Sequence, residues 1–265
     1  MMDAVILGRI GYDLYSEEPH VPLERAERFQ RYLGGSSANM AVGLARLGLR
    51  VGMVSCLGDD ALSSFLRGYL LAEGVDTAHV QTAPGFLPSL CLTEISPPDR
   101  FPQVFYRVDP VDTKLAVTEA DLAYVAQAPM FVTNGTSLCA SPSRESTLKA
   151  LERAKQAGAR VVFDIDYRAM SWPSPAAAGA AVREALPFID VLIGNELELS
   201  LVGAVTAPML VEKLGERGTR VHCGGETVYL EPYRVDVLST IGAGDGFASG
   251  FLYGLAKGLP LLCPP

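Results

Sequence analysis

The chain has 265 residues, 49% of them hydrophobic and 20% charged, which excludes both general disorder and a mini-domain that needs staples. Its formal charge of −8 speaks against a nucleic-acid or anionic-membrane surface, so an anionic ligand would need a site made locally positive by helix ends or a few arginines. Cys56, Cys91, Cys139, Cys223 and Cys263 are odd in number and widely spaced, as in a reduced cytoplasmic chain, and His20, His79 and His222 form no metal motif.

Strands and helices alternate along the chain. Ala4–Leu7 reads as a buried strand, too short for the core of a secretory signal. Ser37–Leu47 has helical spacing and stops at Gly48. Val51–Cys56 is a strand and Ala61–Ala72 an amphipathic helix. Thr118 and Asp121 have the spacing of a capping box. Strands at Met130–Thr133, Val161–Ile165 and Ile189–Ile193 alternate with helices at Ser143–Ala157 and Ala176–Leu186. This order predicts a mostly parallel sheet with helices on both faces. Tyr12–Tyr15, Phe29–Leu33, Ser89–Ile95 and Val104–Val108 break the rhythm and predict a small antiparallel sheet inserted as a lid. The final apolar stretch, Phe247–Leu262, is broken by Lys257 and Pro260 and is no membrane span.

Two segments carry chemistry. In Thr240–Gly250, glycines precede an apolar helix, so backbone N–H groups and the helix dipole converge on one point suited to a phosphoryl group. Asp245 stands at that helix start, placed to accept a proton from an attacking hydroxyl. A glycine-rich turn capped by an aspartate would read the same way. Phe247 occupies the last position of a would-be G-x-G-x-x-G, and no G-x-x-x-x-G-K-[ST] occurs, so neither a dinucleotide fingerprint nor a Walker loop is present. In Gly34-Gly35-Ser36-Ser37-Ala38-Asn39, two glycines allow close approach to a ligand and Asn39 can bond its hydroxyls. Alone this is equally a strand-to-helix turn with a serine cap.

Together, G-G-x-x-x-N near one end and G-A-G-D near the other resemble the ribokinase-like (PfkB) family of carbohydrate kinases, over essentially the whole chain. The resemblance implies a single three-layer α/β domain over residues 1–265 with lid segments at about 10–33 and 88–109. It also implies ATP and Mg²⁺ as cofactors and dimerisation through the lid, whose strands carry Leu90, Leu92 and Phe105. Three stretches, Leu7–Tyr15, Phe105-Tyr106-Arg107 with Pro110, and Phe163–Arg168 with Trp172, resemble the branch acting on keto-deoxy sugar acids in inositol catabolism. It implies that Asp13, Gly34, Gly35 and Asn39 surround the sugar hydroxyls and that Arg107 and Arg168 grip its carboxylate, a match of guanidinium fork to carboxylate. Otherwise Arg107 is a solvated lid residue and Arg168 the partner of Asp164 or Asp166.

By the same resemblance Asn195 and Glu198 organise Mg²⁺, water and phosphates, Glu198 through water. Lys213, Gly215 and Gly218 form the nucleotide-side turn, Gly242, Ala243 and Gly244 the anion hole, and Asp245 the base. Read without it, Asn195–Glu198 is an acidic helix start and Lys213–Gly218 a hairpin turn. Two departures are expected. Residues 199–209 look too short for a further helix and a full strand, reducing that strand to Met209–Val211 and leaving its neighbours unpaired. The chain also stops at Pro264-Pro265 where Leu259, Leu261 and Leu262 would begin a cover over the adenine pocket. The alternatives are therefore phosphorylation of a related acid, 2-dehydro-3-deoxygluconate, which also needs arginines for its carboxylate, or a truncated sugar-acid-binding remnant with an incomplete ATP site.

Overall fold

The computed structural model describes residues 1–97, 100–205, 207–235 and 239–260. The first half runs β1 (Ala4–Leu7), β2 (Gly11–Ser16), β3 (Phe29–Gly34), α1 (Ser36–Arg46), β4 (Val51–Leu57), α2 (Ala61–Ala72), β5 (Asp76–Thr82), β6 (Leu90–Thr93), β7 (Gln103–Tyr106) and α3 (Glu119–Ala126). The second runs β8 (Met130–Asn134), α4 (Ser143–Gln156), β9 (Arg160–Asp164), α5 (Pro175–Ala185), β10 (Val191–Asn195), α6 (Glu196–Val202), β11 (Met209–Lys213), β12 (Thr219–Cys223), β13 (Glu226–Leu230) and α7 (Ala243–Ala256).

Nine strands form the main sheet in the order β13-β12-β11-β10-β9-β8-β1-β4-β5, parallel from β11 to β5 and antiparallel at the β11–β12–β13 edge. The central strands are apolar runs without alternation because both faces are covered. Ile6, Met53, Val132 and Val162 pack with residues of α1, α2 and α7, such as Met40, Leu66 and Leu252. Val5, Leu7, Phe131 and Phe163 face the other way, toward Leu122, Leu151 and Val182 of α3, α4 and α5. These are the three layers expected.

Local chemistry sets the ends. Asp60 caps α2 by accepting from the N–H groups of Leu62 and Ser63 at 2.8 and 3.2 Å. Thr118 and Asp121 form the capping box of α3, as their spacing predicts. Ser174 caps α5, with Pro175 in its first turn.

The lid is a second sheet, ordered β3-β2-β6-β7. Its β2–β3 and β6–β7 ladders are antiparallel, and the central β2–β6 ladder is parallel. One face carries Asp13, Tyr32, Cys91 and Phe105 in register; the other carries Tyr12, Leu33, Leu90 and Tyr106.

The region expected to be too short holds both elements. α6 takes seven residues and β11 five, and β11 pairs over its full length with β10 and β12, so no ladder is left open there. The economy comes from starting α6 directly at the end of β10. Leu261, Leu262, Cys263 and Pro264-Pro265 lie outside the described residues, as do Pro98 and Thr206. Cys56, Cys91, Cys139 and Cys223 are free. No helix among the described residues is long and apolar enough to cross a membrane.

Candidate active site

A cavity of about 550 Å³ opens where the carboxyl ends of β9, β10 and β11 meet the lid. In a parallel sheet this end is where loops and helix starts converge. Asp13, Gly35, Asn39, Arg168, Asn195, Glu198, Lys213, Gly215, Gly242, Gly244 and Asp245 all line it. A second cavity of about 580 Å³ lies at the amino ends of the strands. None of the expected site residues reaches it, and its Lys155 is paired with Asp190.

Asp245 sits in the first turn of α7, which begins after Gly242 turns through a left-handed conformation with φ of 75°. Its Oδ2 accepts a 2.8 Å hydrogen bond from Asn39 Nδ2 of α1. Burial raises the Asp245 pKa above the ordinary carboxylate value, Asn39 opposes that shift, and Asp166 adds to it. The N–H of Ala243 already donates to the Thr240 carbonyl at 3.2 Å, and Ala243 does not line the cavity. The N–H groups of Gly242 and Gly244 make no bond among the described residues. The anion-holding turn is thus narrower than Gly242–Gly244 suggests.

Asp13 projects from β2 toward the same space. A Cβ on Gly34 would stand 2.1 Å from Asp13 Oδ1, so Gly34 makes room for that carboxylate without lining the cavity itself. Gly35, at φ 91°, would bring a Cβ within 2.5 Å of the Arg9 carbonyl. Burial pushes the Asp13 carboxyl up to about 6, with Arg9 pulling down and Asp245 pushing up. Tyr15, Cys91, Gln103 and Phe105 complete the lid wall.

The opposite wall is a chain of alternating charges. Lys213 Nζ donates to both oxygens of Asp164 at 3.0 and 3.1 Å and lies 3.8 Å from Glu198. Burial would lower the Lys213 ammonium, but Asp164 and Glu198 outweigh it and hold it raised. Glu198 and Asn195 form a capping box at the start of α6, and Glu198 also accepts from the Tyr167 N–H at 3.0 Å. The acidic helix start and the pocket wall are therefore the same residues. Asp166, at φ 38°, is held by Ser36 and by Asn134 and pairs with Arg168 at 2.8 Å. So Arg168 both lines the cavity and makes the ion pair that was its alternative reading.

Arg107 is elsewhere. Its guanidinium forks onto both oxygens of Asp112 at 2.7 Å and is 6% exposed, against a separate cavity of about 280 Å³. It is neither a ligand of the main cavity nor a solvated lid residue, because Asp112 has taken its paired donors. Gly218 also lies outside the cavity; at φ 90°, with a hypothetical Cβ 2.2 Å from the Leu230 carbonyl, it turns the chain between β11 and β12. Arg9, Ser36, Asp164 and Asp166 line the site but are absent from the expected set. For Arg9 the signal lies in plain view: an arginine between two glycines at the exit of a buried strand.

The profile of the family described as pfkB family carbohydrate kinase matches residues 1–262. The chain belongs to this family. Among curated relatives of this pfkB kinase, a 5-dehydro-2-deoxygluconokinase of Photobacterium profundum is 35% identical, covering 97% of this chain and 83% of its own. One of the same name from Shouchella clausii is 38% identical over 97% of this chain and 84% of its own. Among solved structures, a PfkB protein of a Polaromonas species superposes with a TM-score of 0.88 at 26% identity, covering 98% of this chain and 91% of its own. A Pyrococcus horikoshii sugar kinase in complex with ATP gives 0.85 at 25% identity, covering 96% and 85%. Fold and family thus agree with the G-G-x-x-x-N and G-A-G-D segments that meet across the cavity.

Proposed function

We propose that this pfkB kinase transfers the γ-phosphoryl group of ATP to a primary hydroxyl of a keto-deoxy sugar acid, 5-dehydro-2-deoxy-D-gluconate. The observation that carries the reading is one cavity holding Asp245 at an open helix start together with cavity-lining arginines. The curated relatives of that name supply the acceptor, and the Pyrococcus horikoshii structure supports ATP.

In this reading the acceptor lies under the lid, with its hydroxyls on Asp13 and Asn39. Asp245 takes the hydroxyl proton as the new P–O bond forms, and ADP leaves with the electrons of the broken bond. The free N–H groups of Gly242 and Gly244, with the dipole of α7, hold the charge that builds on the transferring group. Asn195, Lys213 and Gly215 face the nucleotide. No group of three acidic, histidine or cysteine side chains among the described residues is arranged for a metal. Mg²⁺ brought in with the nucleotide would be reached by Glu198 through water and would supply neutralisation of the phosphate charge.

The test is a coupled ADP-release assay over a panel of sugar acids that includes 2-dehydro-3-deoxygluconate. Preference for 5-dehydro-2-deoxygluconate is expected, with Asp245→Asn folding normally while kcat falls ~10²–10⁴-fold. Unaltered turnover in Asp245→Asn would remove the base from the mechanism.

Pairing of two chains through the back of the lid is supported by Val104 and Tyr106, which stand 46% and 63% exposed there. Light scattering at high micromolar concentration is expected to give twice the chain mass, and a monomer would end the idea.

A further inference from the structure

Three arginines stand in or beside the active-site region, and they differ in what already holds them. Arg107 is forked onto Asp112 and outside the cavity. Arg168 is paired with Asp166 and close enough to Asp245 for each to affect the other's titration. Arg9 lines the cavity, is 8% exposed, and has no carboxylate within 4.0 Å among the described residues. Among the described residues its one side-chain hydrogen bond is from Nη1 to Ser89 Oγ at 3.3 Å, and its buried Nε has no partner.

A guanidinium has five N–H donors and cannot shed its proton. Burying it with one weak neutral partner is unfavourable unless something else supplies negative oxygens. The side chain is also held in place: it lies over Gly11, where a Cβ would come within 3.1 Å of Nη1. Asp13 is close enough to feel both groups: Arg9 pulls its raised carboxyl down and Asp245 pushes it up. Arg9 is tied to Ser89, just before lid strand β6, whereas Asp245 stands at the start of α7, so the two enter the cavity from different elements. In a linear sugar acid the carboxylate and the terminal primary hydroxyl are at opposite ends, so such an acceptor needs two separate polar positions in the cavity, and Arg9 and Asp245 are both among its lining residues.

We propose that Arg9 receives the acceptor's carboxylate, so that this residue selects sugar acids over neutral sugars. Arg168, retained by Asp166, serves the phosphoryl end. The inference rests on the sugar-acid reading and assigns a residue to it.

The test compares wild type, Arg9→Met and Arg9→Lys, with 5-dehydro-2-deoxygluconate and fructose as acceptors. For Arg9→Met, kcat/KM toward the acid is expected to fall at least 100-fold, mostly through KM. KM for ATP should stay within about twofold, and the preference for acid over fructose should collapse. Arg9→Lys should be intermediate, since a point charge keeps attraction without the fork. The ATP KM and a thermal melt report folding; if Arg9→Met does not fold, Arg9→Lys decides. An acid KM within threefold of wild type in the folded variant would overturn the assignment. A wild type that ignores sugar acids would overturn the sugar-acid reading itself.

Discussion

Three carboxylates in the cavity, Asp13, Asp164 and Asp245, are held above their ordinary range by burial, and Asp13 is the one open to a direct test. Asp13 has a folded value of about 6 against an ordinary 3.8. A carboxyl raised by folding costs stability once ionised: the cost is absent below 3.8, grows between the two values, and is complete above about 6. Asp13→Asn is therefore expected to gain about 1 kcal/mol at pH 8 in a denaturant titration. The same change should raise the acceptor KM at least tenfold. Wild-type kcat/KM for the acceptor should fall as pH drops through 6, where protonated Asp13 can no longer accept two hydroxyl bonds. A flat profile from pH 8 to 5 would contradict this. At this scale the sequence was readable where a residue's place in the cavity follows from its neighbours in the chain. Asp245 at a glycine-rich helix start and Asn39 behind two glycines are such cases. Arg107 was not, because Asp112, five residues on, captures its guanidinium through a turn that no pattern of residue types specifies.

Among the elements, α6 ties structure to site most closely. Glu198 closes the capping box with Asn195 and also holds the Tyr167 N–H, so one carboxylate supports both the helix start and the loop after β9. Glu198→Ala should cost about 1–2 kcal/mol in thermal or chemical unfolding. It should also raise the KM for ATP, because Lys213 loses one of its two acidic neighbours. Equal stability in that variant would mean that water replaces the cap fully. The helices with sequence-coded ends were legible nearly to the residue: α2 runs over the span its periodicity predicts, between the Asp60 cap and Gly74. β5, β12 and β13 were not legible as strands. They lie toward the sheet edges, carry residues such as Asp76, Thr77, His222 and Thr227, and owe their form to ladders with neighbours rather than to an apolar run. The segment 199–209 was misjudged because a helix can begin on the last residue of a strand.

For the molecule as a whole, the site depends on α1 lying close against α7. Gly43 allows it: a Cβ there would meet Ser249 Oγ at 2.3 Å and its Cβ at 2.7 Å. Ser249 in turn donates to the Asp245 carbonyl at 2.7 Å. Gly43→Ala should force the helices apart, costing ~1–3 kcal/mol, and should lower kcat by lengthening the Asn39–Asp245 bond. A variant with normal stability and turnover would show that the two helices can slide without consequence. The three-layer plan itself was legible, since alternating strand and helix leave few other topologies.

The Asn39–Asp245 bond joins residues 206 positions apart. Closing so long a span costs chain entropy before the contact itself offsets it, and contacts distant in sequence slow folding. β1, β4 and α1 can associate from sequence-near contacts, whereas Asp245 joins Asn39 only when α7 docks. A chain in which α7 had not docked would thus carry Asp13 and Asn39 beneath the lid while lacking Asp245, the proposed base. If Asp245 is the base, a molecule in which α7 has not docked cannot spend nucleotide on the acceptor it holds.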